Sequence, residues 1–188
     1  MRQAAYDDYA TVNAILERNG QAPLSGSDMD ALLIFIGDHG HFILDPQDST
    51  TAILHATIDK PARGKWAASF MRAFLRWVFT CTRIERINAS FPLSLRSVKR
   101  FGIESGFHVT RETNQNVFMS IDILKWLSIC DDCLEQGAHA ESDFAMADNE
   151  MVKRVAGACS MMHESGMEHK AWYLYQLYAK LFGYRAEV

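Results

Sequence analysis

The sequence has no internal repeat, no low-complexity tract and no apolar run near the roughly 18–20 residues needed to span a bilayer. Its longest candidate, Ala67 to Thr80, is interrupted by Arg72 and Arg76. Nothing after Met1-Arg2-Gln3 resembles the apolar core of a signal peptide. Cysteine is sparse, with Cys81, Cys130, Cys133 and Cys159 making four in 188 residues. Without a secretory signal, free thiols are expected rather than a disulfide framework. These absences point to a cytoplasmic protein with no membrane span.

What is present suits an ordinary globular chain. Hydrophobic residues make up 48% and charged residues 22% of the 188, enough for one well-packed domain with a small appendage. The net charge of −4 is uneven. Residues 1–122 hold 13 bases and 13 acids, whereas residues 123–188 hold 6 and 10. Residues 60–100 hold ten bases and one acid, Glu85. Such a stretch suits phosphate groups, or is simply a solvated helix face. The acidic balance of the whole chain and the lack of a nucleic-acid-binding motif argue against nucleic acid as its partner.

Periodicity orders the elements. Arg2 to Ala5 reads as a short strand, followed by a helix capped by Asp7 or Asp8 and ended by Asn19-Gly20. Pro23 to Ser27 reads as loop. Leu32 to Ile36 and Phe42 to Leu44 form a hairpin about Asp38-His39-Gly40-His41, and Ala52 to Ile58 is a further strand. After the loop Lys60 to Lys65, a strong helix spans Trp66 to Phe79, then a strand spans Ile84 to Phe91. Ser94 is expected to cap a helix ending near Gly106, with strands at Phe107–Thr110 and Val117–Ile121. Helices are expected at Ile123–Glu135, Asp143–Glu164 and His169–Phe182, with a linker from Gly137 to Ser142. The fold class is α/β or α+β, a central mixed sheet flanked by helices. Two parts are expected, residues 1–122 and a helical extension, residues 123–188.

Three places carry a resemblance. They are the strand–loop–helix of Ala52 to Phe79 with Arg63-Gly64-Lys65 in its loop, the strand Ile84 to Phe91, and the helix end Phe101-Gly102-Ile103-Glu104-Ser105-Gly106-Phe107. Over residues 1–122 this order resembles the GNAT superfamily of acyl-CoA-dependent N-acyltransferases. The resemblance implies acetyl-CoA as cofactor, with its pyrophosphate at a loop written Arg/Gln-x-x-Gly-x-Gly/Ala. Glycine in such a loop lets backbone N–H groups approach the phosphates. Here the frame reads Arg63-Gly64-Lys65-Trp66-Ala67-Ala68, and Trp66 stands at the first glycine of the motif. Arg63, Gly64, Lys65 and Ala68 are the expected cofactor-binding residues, and Trp66 is expected to pack into the core. The family's Asn position falls on Leu95, with Ser94 and Ser97 nearby, and the position of its thiolate-protonating Tyr falls on Gly102. His55, on one strand face with Ile53 and Thr57, is the candidate general base for an ammonium substrate. A hydrogen-bonded structural histidine is the plainer alternative, and Glu85 is a weaker candidate base.

Cys130-x-x-Cys133 with Cys159-x-x-x-His163 has the ligand types of a structural zinc site. Buried free cysteines in a continuous helix from Ile123 are the preferred reading, so no metal is expected. The tail from Ala171 to Tyr184 is apolar all round, and Trp172, Tyr175, Tyr178 and Phe182 are expected to meet other protein chains or to dock onto this one. Two functions follow. The preferred one is a GNAT-fold protein with eroded acetyltransferase motifs that works by binding or assembly as an oligomer. Length and the altered loop make it similar to degenerate GNAT-like phage proteins, some of them virion components. A phage-encoded chain would reside in the host cytoplasm or the virion. The alternative is an active acetyl-CoA-dependent N-acetyltransferase with His55 as base.

Overall fold

The computed structural model describes residues 2–139 and 149–182. The expected linker from residue 140, the expected helix from residue 143 to 148, Tyr184 and the side chain of Phe182 lie outside the described residues. The first half of the chain runs β1 (Arg2–Gln3), α1 (Tyr9–Arg18), α2 (Gly26–Ala31), β2 (Leu33–Gly37), β3 (Gly40–Pro46), β4 (Thr51–Ile58) and α3 (Lys65–Cys81). There follow β5 (Arg86–Pro92), α4 (Arg96–Glu104), β6 (His108–Glu112), β7 (Asn116–Asp122), α5 (Ile123–Leu127), α6 (Asp131–His139), α7 (Glu150–Glu164) and α8 (Glu168–Phe182). The strands form one mixed seven-stranded sheet in the order β1-β2-β3-β4-β5-β7-β6.

The described residues form two compact units. One holds the chain up to Leu75 together with Ile84–Ile121; the other holds Arg76–Arg83 and the described residues from Asp122 onward. The second unit therefore includes the last turns of α3 as well as α5 to α8.

Strand alternation builds the first unit's two cores. Ile34 pairs with Ile43 and Phe35 with Phe42. The isoleucines, with Ile36, pack under Val12 and Leu16 of α1 and Met29 of α2. On the opposite face Phe42 stacks on Phe70 of α3, ring centroids 4.6 Å apart, and Phe74 lies 4.7 Å away. Both Phe70 and Phe42 are fully buried, each contributing on the order of 2–3 kcal/mol of hydrophobic stabilisation. The sheet is thus a middle layer with α1 and α2 on one side and α3 on the other. At its far edge β6 pairs with β7, and the register shifts between Val109 and Arg111, leaving Thr110 as an extra residue.

In the second unit α6 crosses α7 at backbone contact. A Cβ added to Gly137 would collide with the Lys153 carbonyl, and one added to Gly157 with the Cys133 carbonyl. Phe79 is fully buried, with its ring 5.2 Å from that of Trp126.

Several boundaries differ from expectation. The stretch Pro23 to Ser27 is not all loop: Ser25 caps α2, accepting from the Asp28 N–H at 3.2 Å while the Asp28 carboxylate accepts from the Ser25 N–H at 3.1 Å. Ser94 is not the cap of α4; Leu95 holds that position and makes no side-chain cap bond. The expected helix Ile123–Glu135 breaks after Leu127 and restarts at Asp131. Gly137 is helical, not linker.

Candidate functional site

β4 and β5 run parallel but pair only briefly. Their register is Thr51 with Arg86, Ala52 with Ile87 and Ile53 with Asn88. Beyond Ile53 and Asn88 the strands part. The edge of β4 facing β5 then has N–H and C=O groups that pair with no strand. A cavity of about 600 Å³ opens there, lined by Leu54 to Thr57 of β4 and Ala89 to Phe91 of β5. Its walls are mainly apolar, with Leu16, Leu24, Met71 and Phe107 among them. Gln21, Asp28, Asp45 and Ser90 supply the polar groups beside His55.

His55 is exposed and pairs with Ile43, so it projects on the α1/α2 face of the sheet. Asp45 and Thr57 share that face by alternation. Thr57 is buried and its hydroxyl donates to Gln21 Oε1 at 2.6 Å, which fixes the cavity floor. Gly102 also lines the cavity. A Cβ at Gly102 would meet Met119 Sδ at 2.9 Å and Cε at 3.1 Å, so methionine sulfur and methyl occupy the start of any longer side chain's path. Leu95 lines the cavity and is 44% exposed, giving the mouth an apolar lip in place of an amide. Ser94 lines a separate surface groove with Arg96 and Lys99, and Glu85 lines none of these cavities.

A second cavity, about 860 Å³, lies at the loop from β4 to α3. It shares Gln21, Ala56 and Thr57 with the first, so the two adjoin. Lys60, Pro61, Ala62, Arg63 and Trp66 line it. Arg18 lines it too, but its guanidinium is held by Asp59 at 3.0 and 2.6 Å. That contact keeps the Asp59 carboxyl below its usual range. Gly64 has φ +124°, a conformation that only glycine adopts readily, and a Cβ there would meet open space. The loop is therefore open at Gly64, and Lys65 begins α3 beside it. The first N–H groups of a helix have no partner within it, which makes this an electropositive helix start. Ala68 is different: its N–H donates to the Gly64 carbonyl at 3.0 Å, so it contributes room and no free donor.

Trp66 is half-buried and forms one wall of the loop cavity. Its ring stacks on Phe70 at 4.7 Å and meets His39 edge-on at 5.4 Å. Of the sequence-predicted residues, His55 lines the first cavity and Arg63 the second, while Gly64, Lys65 and Ala68 line neither and sit at the adjoining helix start. Sequence reasoning missed Asp45 and Gln21. Asp45 had a signal, since it lies two residues from Ile43 on the His55 face; Gln21, in a loop, had none.

Among the described residues no group of three or more His, Cys, Asp or Glu side chains is placed to hold a metal, and no helix is long and apolar enough to cross a membrane. At the tail, Trp172 and Tyr173 are exposed, 51% and 55%. Tyr178 is not on that surface: it is buried inside its own unit, because it follows Ala171 and Leu174 on the inward stripe of α8.

A mixed sheet with helices on both faces, parted parallel strands and a glycine-hinged helix start is the fold of the GNAT superfamily. Solved structures with this fold include a chimera of the Vibrio cholerae spermidine N-acetyltransferase SpeG with hSSAT. It is 16% identical with a TM-score of 0.57, over 68% of this chain and 98% of that one. The V. cholerae spermidine/spermine N-acetyltransferase SpeG in complex with manganese ions is likewise 16% identical, with a TM-score of 0.54, over 68% and 94%. No family model matches the sequence, and no curated protein matches it.

Proposed function

We propose that this chain is an acetyl-CoA-dependent N-acyltransferase with a weakened final proton transfer. The observation that carries the reading is the adjacency of the His55 cavity, through Gln21, Ala56 and Thr57, to the cavity at the loop that ends in Arg63 and the open Gly64. The residues at that loop fit a pyrophosphate. Gly64 leaves the backbone uncovered, Arg63 and Lys65 are exposed cations beside it, and the Trp66 ring is stacked on Phe70. Arg63, Gly64 and Lys65 would hold the cofactor, with Ala68 giving clearance. When bound, the cofactor supplies an activated acyl thioester. His55 takes a proton from the acceptor's ammonium group, and an unpaired N–H of β4 beyond Ile53 polarises the acyl carbonyl. Asp45 gives the His55 face a carboxylate suited to a cationic amine, the acceptor class on which the similar spermidine acetyltransferases act. No side chain at Gly102 protonates the leaving thiolate, so solvent does.

Calorimetry with acetyl-CoA and CoA tests the cofactor, with micromolar binding expected. His55→Ala should leave that binding intact and lower turnover with a primary amine by ~100-fold or more. Lack of binding would overturn the enzyme reading, and unchanged turnover would remove His55 from it.

A second reading, assembly with other protein chains, is favoured by the exposed pair Trp172 and Tyr173. Mass measurement in solution tests it: a defined oligomer that Trp172→Ala dissolves supports it, and a monomer at all concentrations ends it. A phage-encoded chain, a virion role and a place in the host cytoplasm remain part of this second reading.

A further inference from the structure

The break between α5 and α6 places a pair of thiols at a helix start. Cys130 holds the cap position of α6: its carbonyl accepts from the Leu134 N–H at 3.2 Å and its sulfur from the Cys133 N–H at 3.2 Å. The Cys133 thiol lies close enough to that sulfur to stabilise a charge on it. In the first turn of a helix, residues three apart have Cα atoms about 5 Å apart, within the range a disulfide spans. Arg154 of α7 supplies a second, independent sign. It is 7% exposed, and its charge acts on both sulfurs. Glu150 accepts from its Nε and Nη2 at 3.1 and 2.7 Å and Asp131 from Nη2 at 3.4 Å, while Nη1 is buried with no partner among the described residues. A buried cation whose field reaches both sulfurs, with one donor unpartnered among the described residues, favours a thiolate over a thiol.

We propose that Cys130 and Cys133 are a redox-active dithiol, Cys130 attacking and Cys133 resolving, oxidised to an intramolecular disulfide by low-molecular-weight disulfides of the glutathione class. Cys130 is the less buried residue of the pair, 8% exposed against 0% for Cys133. The Cys130 thiolate attacks one sulfur of the reagent, forming a mixed disulfide and expelling one thiolate. Cys133 then gives up its proton and attacks Cys130 Sγ, closing the Cys130–Cys133 bond and expelling the second thiolate. The dithiol loses two electrons and two protons, and the reagent leaves as two thiols. The local charges agree with these roles. The Cys133 thiol lowers the Cys130 pKa against burial and nearby Asp132, and the same contact raises that of Cys133. Asp132 itself is paired with Arg76 at 3.2 Å.

The test uses the full reduced chain. After incubation with oxidised glutathione, acid quenching and alkylation, peptide mass spectrometry should find Cys130 and Cys133 joined with loss of two hydrogens. Cys81 and Cys159 should remain open to alkylation after unfolding. In Cys133→Ala the mixed disulfide should persist on Cys130. Iodoacetamide should modify Cys130 of the native wild-type chain at least ~10-fold faster than Cys159, with a pH midpoint below the ordinary thiol's ~8.5. Arg154→Gln should slow that reaction. Glutathione spread evenly over all four cysteines, a reduced pair under these conditions, or a Cys130 midpoint at or above ~8.5 would each overturn the proposal.

Discussion

His41 is fully buried on the α1/α2 face of β3, and neither ring nitrogen has a hydrogen-bond partner among the described residues. Burial lowers its pKa from 6.5 to about 4, partly offset by the charge of Asp59. Unfolded, this imidazole takes a proton as pH falls through 6.5; folded, it does so only near 4. Between those values the unfolded chain binds more protons, so stability falls as pH drops, by roughly 3 kcal/mol in all from this group. Urea denaturation at pH 7 and pH 4.5 should show that loss. His41→Leu should be at least as stable as wild type at pH 7 and should lack this part of the slope. Gly102 makes a different residue-scale prediction. Gly102→Tyr drives its Cβ into Met119, and overpacking of this kind costs about 1–3 kcal/mol. Met119→Ala in the same chain should recover part of it, visible as coupling in a double-mutant cycle.

At the scale of elements, the α6–α7 crossing is set by glycine. The colliding atoms at Gly137 and Gly157 are backbone carbonyls, which cannot swing aside as a flexible side chain can. Gly157→Ala should therefore separate the two helices and lower the thermal midpoint, at a cost of about 3 kcal/mol or more. Gly20→Ala meets nothing within 4 Å, although its φ of +74° carries strain, and should cost only about 1 kcal/mol. How much of this was legible varied by element. β4 and α3 were plain in the sequence, because their apolar runs keep one period throughout. The helix α2 was not, since Met29 is its one buried side chain and its signal is the cap Ser25-Gly26-Ser27-Asp28. The break after Leu127 lacks glycine and proline; it depends on Trp126 and Leu127 being buried and on Cys130 capping the restart. In the candidate site, the strand period put His55 on one face with Thr57, and the resemblance pointed to Arg63, Gly64 and Lys65. The parting of β4 from β5 could not, because strand pairing is a tertiary fact. The posture of Trp66 depends likewise on Phe70 and His39, residues distant from the loop motif.

At the scale of the molecule, the sequence reads α3 as one amphipathic helix, yet its last turns belong with the later helices. Phe79 loses its neighbour Trp126 if the chain is cut at residue 122. A fragment beginning at Arg76 should therefore melt more cooperatively by circular dichroism, and bind less hydrophobic dye, than one beginning at residue 123. Equal behaviour of the two would show that Arg76–Arg83 contributes nothing to that unit. The sheet has its own boundary condition at β6. Its outer edge carries exposed His108, Thr110, Arg111 and Glu112, and Thr110 spends its hydroxyl on the Phe118 carbonyl at 3.2 Å. The extra residue twists the strand just where a neighbouring molecule would have to lie flat to continue the ladder. The bulge at Thr110 thus makes this edge a poor template for a further strand.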